Sequence, residues 1–130
     1  PRSEFAATFL GDANILRGEA TGSGIRLADG TAIAAAAGPR AAAGGSASCA
    51  VRPERIQIVP DGASTGFAGN TLRGRVSKRI FAGNSSTYFV DRAGETIKVL
   101  VKNDGSGKLA EGQDVVLRWS PESTVLVLPA

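Results

Sequence analysis

The feature that most constrains the fold is a short segment that occurs twice in the chain. Ala50–Pro60 and Arg118–Leu128 each hold a Pro-Glu pair between two runs of β-type residues, and the pairs lie 68 positions apart. A proline has no backbone N–H to give to a strand ladder, so each pair belongs at a corner between two strands. The sequence therefore predicts a small β-unit that has been duplicated.

A second repeated segment lies upstream of each corner. Asn14–Ala20 resembles Asn70–Val76, 56 positions further on, and each copy is followed by a hairpin pattern. The order of the patterns is therefore the same in both halves of the sequence. We divide the chain into a first half at residues 14–60, a connector at 61–69 and a second half at 70–130.

The fold class follows from these short, repeated strand patterns. Seventeen glycines and few helical patterns favour an all-β fold, and five short strands per half are typical of an OB-like Greek-key barrel. Because 130 residues leave little room for two separate barrels, the halves are expected to share a core or exchange strands. One short helix is predicted at residues 3–11, with Ser3 as its N-cap and Gly11 as its stop.

The second half is the more regular in its alternation. From Leu72 to Phe81 the apolar and small residues occupy every second position, while basic and polar residues fill the positions between. The pattern predicts one face made of Leu72, Gly74, Val76 and Ile80, and an opposite face made of Arg73, Arg75, Ser77 and Arg79. The arginines are interpreted as a solvated strand face, in preference to a track for nucleic-acid phosphates.

The composition excludes most catalytic chemistry. The chain has no histidine, which removes imidazole acid–base catalysis and nearly all zinc and haem sites. Its carboxylates are scattered, so no catalytic residue, no metal site and no cofactor is predicted within the chain. The single cysteine, Cys49, stands in an apolar pattern and is interpreted as a small buried hydrophobe. The net charge of +3 permits contact with anionic partners without requiring it.

Four residues at the two corners are candidates for contacts with a partner protein. Arg52 and Glu54 flank Pro53 at the first corner, and they could pair with each other or with a partner. Trp119 stands just before the second corner, where it could cap a core or anchor an interface, and core packing is the preferred interpretation. An interface through Arg52, Pro53, Glu54 and Trp119 is therefore a hypothesis about the corners.

Three motifs together resemble a known family, importer ABC ATPases with a C-terminal TOBE domain, and most of all the spermidine/putrescine type. The segment from Phe5 to Asn14 is similar to the one that follows the ATPase core in that family. Ala50–Glu54 looks like the hallmark of the TOBE domain. The end of the domain resembles the tail positions Gly112, Asp114, Val115, Leu117, Trp119, Pro121 and Glu122.

The resemblance implies a non-catalytic regulatory and dimerisation domain on the cytoplasmic face of the inner membrane. Residues 1–13 would then form the connecting helix from an ATPase domain upstream, where ATP and Mg are expected. The implied partners are that upstream nucleotide-binding domain, a second copy of the ATPase subunit and, indirectly, the permease subunits, with no nucleic acid. The start at Pro1 and the absence of methionine suggest a piece of a longer protein.

Two departures and one rival accompany the resemblance. The upstream ATPase motifs are absent, so ATP hydrolysis is not assigned to this chain. The stretch from Ala34 to Ser48 is plainer than the strands usual in the family. The rival hypothesis is a small-solute or oxyanion-sensing module of an importer for another solute, such as iron, a sugar or a phosphonate, because glycine turns can present N–H groups to an anion.

Overall fold

The computed structural model describes residues 12–36, 38, 43–62, 66–103 and 109–127. The described residues form ten strands and two 3₁₀ turns. In chain order the strands are β1 (Asn14–Ala20), β2 (Gly24–Arg26), β3 (Ala32–Ala34), β4 (Ser46–Val51), β5 (Gln57–Pro60), β6 (Asn70–Ala82), β7 (Ser85–Arg92), β8 (Glu95–Lys102), β9 (Asp114–Trp119) and β10 (Val125–Val127). The turn Pro53–Arg55 is the first corner, and the turn Pro121–Ser123 is the second corner.

Two five-stranded antiparallel sheets contain these strands, so the all-β prediction is confirmed. The first sheet has the order β10-β4-β1-β2-β3 and the second has the order β5-β9-β6-β7-β8. The described residues include no α-helix, and the helix predicted at residues 3–11 lies outside them.

The turn predicted at Asp29-Gly30 joins β2 to β3. The amide of Leu27 donates to the Thr31 carbonyl at 2.8 Å, and Gly30 adopts a positive φ of 92°. The Asp29 carboxylate accepts the amide of Thr31 at 3.0 Å, which stabilises the turn further. The Asp-Gly pair therefore sets the register of this hairpin, as the sequence predicted.

The two halves of the sequence exchange their last strands. β5 follows the first corner but pairs with β9, in the sheet built mainly from the second half. β10 follows the second corner but pairs with β4, in the sheet built mainly from the first half. Val125 lies opposite Ala50 and Gln57 lies opposite Arg118, so the two exchanged pairings have registers related by the same 68-residue offset as the corners.

The exchange produces two compact units that are each discontinuous in the sequence. The first unit contains the described residues up to Arg52, residues 68–70 and residues 120–127. The second unit contains Pro53–Phe67 and Thr71–Trp119, apart from the residues that the structure leaves undescribed. A short chain can fill two small cores in this way because each sheet gains a fifth strand from the other half.

A β-bulge in β6 changes the alternation that the sequence predicted. The pairing of β6 with β7 passes from Val76↔Val90 to Lys78↔Phe89, so Ser77 is the extra residue. Leu72 and Val76 are buried as expected, but Ile80 is 41% exposed. The prediction that Ile80 shares their face is wrong, because one inserted residue reverses the side-chain phase of the strand beyond it.

Asn70, at the start of β6, anchors three hydrogen bonds within the first unit. Its side-chain oxygen accepts the amide of Ala34 at 2.8 Å, and its side-chain nitrogen donates to the Ala34 carbonyl at 2.9 Å and to the Thr124 hydroxyl at 3.2 Å. The amide group therefore acts like one more residue of a strand along the end of β3. Asn70 is buried, so water cannot replace these bonds if the side chain is removed.

We expect Asn70→Ala to reduce the free energy of unfolding by about 2–4 kcal/mol, because it leaves buried backbone groups unpaired. The matched control is Asn14→Ala at the equivalent position of the other repeat. The one bond that the structure gives for that side chain runs to the Val51 carbonyl at 3.3 Å, and the group is only partly buried. Urea unfolding followed by circular dichroism measures both variants, and equal losses would contradict the role given to Asn70.

Candidate functional site

The two corners place one apolar residue inside and charged residues outside. At the first corner Pro53 is buried, whereas Arg52 and Glu54 are exposed. The turn is closed by the amide of Ile56, which donates to the Pro53 carbonyl at 3.4 Å. Of the predicted interface residues at this corner, Arg52 and Glu54 are therefore the two that a partner protein could reach.

Trp119 precedes the second corner and is only 2% exposed. Its burial agrees with the interpretation that it packs in a core, and it leaves almost no ring surface for a partner. The second corner is closed by the Thr124 amide, which donates to the Pro121 carbonyl at 3.0 Å, while the Thr124 hydroxyl donates to the Ser120 carbonyl at 3.0 Å. Trp119 and Pro53 thus position the corners, and an interface role for them stays a prediction.

A groove of about 580 Å³ lies beside the first corner, within the second unit. Its apolar wall comes from β5 and β8, and its rim carries polar and charged groups. The aliphatic lining residues are Ile56, Ile58, Val59, Leu100 and Val101, and the polar ones are Glu54, Gln57, Asn84, Ser85, Lys102 and Arg118. The groove can hold a small molecule that has both an apolar part and a charged part.

Arg118 is held in place at the rim of this groove. Its Nε donates to the Gln57 side-chain oxygen at 2.8 Å, and its guanidinium lies 5.2 Å from the centre of the Phe67 ring. Lys102 lines the same groove from β8. The sequence analysis did not single out Lys102 or Arg118, because nothing in the local pattern shows that β5 lies between the first corner and β9.

The arginines of β6 do not form an open basic track. Arg75 pairs with Asp114 at 3.0 Å and Arg73 with Asp61 at 3.7 Å, both with largely exposed side chains. Arg79 donates to the Leu109 carbonyl at 3.0 Å and lies 4.3 Å from the centre of the Phe81 ring. Their partners within the chain agree with the interpretation of a solvated face and offer no set of phosphate contacts.

Cys49 lies in the middle of β4, opposite Leu16 on one side and Leu126 on the other. It is 0% exposed, and this burial raises the pKa of its thiol from 9.0 to about 12. The thiolate, which is the reactive form, is therefore strongly disfavoured in the folded chain. Within the described residues no group of three His, Cys, Asp or Glu side chains could hold a metal ion.

We expect the thiol of Cys49 to resist iodoacetamide at pH 8 in the folded chain and to react once urea unfolds it. The raised pKa also predicts that stability falls as the pH rises from 9 towards 12. In that range the unfolded chain loses the thiol proton and the folded chain keeps it, which lowers the free energy of unfolding by about 1.4 kcal/mol per pH unit. Cys49→Val removes this contribution, so an unchanged pH slope in that variant would contradict the assignment.

No helix in the described part of the chain has the length and apolar character needed to cross a bilayer. Comparison with known proteins places the chain among domains that are found in transporter subunits. Residues 49–127 match the TOBE domain family. The chain is also similar to several proteins called "Spermidine/putrescine import ATP-binding protein PotA".

The identity is 37% over 150 residues with the protein of Frankia alni, covering 99% of this chain and 31% of that one. It is 30% with the protein of Rubrobacter xylanophilus, covering 98% of this chain and 34% of the other. It is 27% with the protein of Pseudomonas fluorescens, covering 98% and 36% respectively. The chain thus spans about a third of the length of these relatives and matches their C-terminal region.

A solved structure supports the fold. The cytoplasmic molybdate-binding protein ModG, crystallised with molybdate bound, superposes with a TM-score of 0.74 over 89% of this chain and 96% of its own. At 18% identity this likeness concerns the fold alone. Because the family match covers more than half of the residues and contains both corners, the chain belongs to the TOBE domain family.

Proposed function

We propose that this chain is the non-catalytic regulatory and dimerisation domain of the ATP-binding subunit of an ABC importer for polyamines such as spermidine or putrescine. The observation that carries the proposal is the similarity to PotA proteins along 98–99% of the chain. The three motifs that suggested the family from the sequence occur in the same order. ATP and Mg would be bound by a nucleotide-binding domain upstream, on the cytoplasmic face of the inner membrane.

In this proposal the first corner contacts the partners. Arg52 and Glu54 are exposed on either side of the buried Pro53, so a rigid turn presents two opposite charges to a neighbouring protein. The neighbours would be the upstream domain and a second copy of the subunit, with the permease subunits reached through them. Closure of each sheet into an OB-like barrel is part of the proposal, and it is supported in the second unit because the edge strands β5 and β8 lie close together.

The test uses the full-length subunit that contains this chain. Charge reversal at Arg52→Glu or Glu54→Lys is expected to weaken dimerisation about tenfold, since a like charge replaces a complementary one. Arg26→Glu, an equally drastic change at an exposed position of β2, is the control. Sedimentation measures the dimer, and the ATPase rate in the assembled importer measures regulation. Wild-type behaviour of both corner variants in both assays would refute the interface.

The groove beside the first corner keeps small-solute sensing as a second candidate function. Its volume of about 580 Å³ lies in the range of small-ligand sites, and Lys102 and Arg118 would favour an anionic group. Calorimetry of the chain against spermidine, molybdate, phosphonates and sugars distinguishes the two. Saturable binding that Lys102→Ala abolishes would support the sensor, whereas the absence of heat for every solute would leave the regulatory role.

A further inference from the structure

The β-bulge at Ser77 directs an aliphatic side chain to solvent. The Ser77 hydroxyl donates to the Phe89 carbonyl at 3.1 Å, and it lies 3.3 Å from the Asp91 carboxylate, which also accepts the Thr96 hydroxyl at 2.9 Å. These bonds fix the extra residue in one conformation. Bulges of this kind re-aim the residues beyond them, and here the residue that turns outward is Ile80.

The outward residues of β6, β7 and β8 form two rows across the strands. Ile80 lies opposite Thr87, which lies opposite Leu100. In the next row Lys78 lies opposite Phe89, which lies opposite Lys98. Directly opposite residues project on the same side of a sheet, and so do residues two apart on a strand. We call these six residues the basic–apolar face.

The centre of the basic–apolar face is apolar and open to solvent. Ile80 is 41% exposed and Leu100 is 39% exposed, and among the described residues only Phe81 and Val125 are large hydrophobics of similar exposure. Two exposed aliphatic side chains in one cross-strand row are unusual in a sheet whose other face is fully buried. The face therefore has the apolar centre expected of an interface.

The charges around this centre are mostly positive. The Nζ atoms of Lys78 and Lys98 lie 5.8 and 5.9 Å from the centre of the Phe89 ring. From Asn70 to Lys102 the chain carries seven lysines and arginines but only two carboxylates, Asp91 and Glu95. Asp91 accepts the hydroxyls of the bulge, and Glu95 lies 3.9 Å from Arg92. The carboxylates of this stretch are thus already engaged.

We propose that the basic–apolar face binds a protein segment that carries carboxylates on either side of aliphatic side chains. The aliphatic groups would pack on Ile80 and Leu100, and the carboxylates would face Lys78 and Lys98. A second copy of the chain would bring the same lysines against each other. Nucleic acid fits less well, because aliphatic side chains offer no ring for base stacking and the Phe89 ring already has a lysine close on each side.

Binding of short fluorescent probes tests the proposal. One peptide alternates glutamate with leucine and isoleucine, and a second has lysine in place of glutamate. An oligothymidylate is the third probe. Fluorescence anisotropy is expected to show that the chain binds the acidic peptide and that added salt weakens this binding, because the contact depends on opposite charges.

Two pairs of variants locate the site. Ile80→Ser is expected to weaken binding of the acidic peptide about tenfold, whereas Val125→Ser, at a residue equally exposed in β10, leaves it unchanged. Lys98→Glu is likewise expected to weaken it about tenfold, with Arg26→Glu as its control. Both targets lie on the surface, so circular dichroism of the folded variants should match that of the parent chain.

Several outcomes would overturn the proposal. Equal binding of the basic peptide would show that charge does not select the partner, and no binding of the acidic peptide would remove the site. Preferential binding of the oligothymidylate that depends on Lys98 would make the face a nucleic-acid site. Concentration-dependent dimerisation that Ile80→Ser abolishes would assign the face to a second copy of the chain.

Discussion

Removal of the residues after Thr124 is expected to unfold the first unit while the second unit stays folded. The deletion removes β10, which supplies the buried side chains of Leu126 and Val127 and the edge partner of β4. Burial of two such side chains contributes about 3–6 kcal/mol, which is a large part of the stability of a small domain. The expected result is counterintuitive in the sequence, because a deletion in the second half destroys structure formed by the first half.

Hydrogen exchange followed by mass spectrometry measures this effect segment by segment. Peptides from β1 and β4 are expected to lose their protection, whereas peptides from β7, β8 and β9 keep it. Val125→Ser is the matched control, because that side chain of β10 is 41% exposed and its loss leaves the strand in place. Loss of protection in β7 to β9 alone would contradict the strand exchange.

Gly24→Ala is expected to cost about 3 kcal/mol or more of the free energy of unfolding. Gly24 lies in β2, opposite Ala34, and a Cβ at this position would stand 1.8 Å from the carbonyl oxygen of Ile33. That oxygen belongs to the backbone of the neighbouring strand and cannot move aside without breaking the pairing. Overpacking against backbone is among the few mechanisms that give losses of this size.

Gly22→Ala, two residues earlier, is the control for this prediction. Gly22 has a positive φ of 89°, yet a Cβ there would meet no atom within 4 Å. The control therefore carries only the backbone strain of the left-handed region, about 1 kcal/mol. Chemical denaturation of both variants compares the two effects. A larger loss at Gly22 than at Gly24 would show that conformation and not close approach governs this hairpin.

The repeat made much of the fold predictable from the sequence. Copies of Asn-x-Leu-Arg-Gly and of the Pro-Glu corner marked equivalent strands, and β4 and β9 begin and end at positions related by the same 68-residue offset. The Asp29-Gly30 turn and the alternation in β8 were equally clear. These features are local, so the residues that specify each of them are close together in the chain.

What the sequence did not predict depends on contacts between distant residues or on a single inserted residue. An apolar run after a corner does not show which strand it will join, so the partners of β5 and β10 and the groove lined by Lys102 and Arg118 were missed. The bulge at Ser77 has no clear local signal, and Ile80 was placed on the wrong face as a result. Asn70 was seen only as part of a repeat, although its recurrence with Asn14 hinted at a structural role.

The exchange of strands has a consequence for synthesis on the ribosome. The second sheet has all five of its strands once Trp119 has been made, whereas the first sheet, begun more than ninety residues earlier at Asn14, waits for Val127. Pairing of Ala50 with Val125 brings together residues far apart along the chain, a type of contact that slows folding. The part of the polypeptide that is translated first is therefore the last to acquire its complete sheet, and a nascent chain must keep the edge of β4 from wrong partners until its final residues emerge.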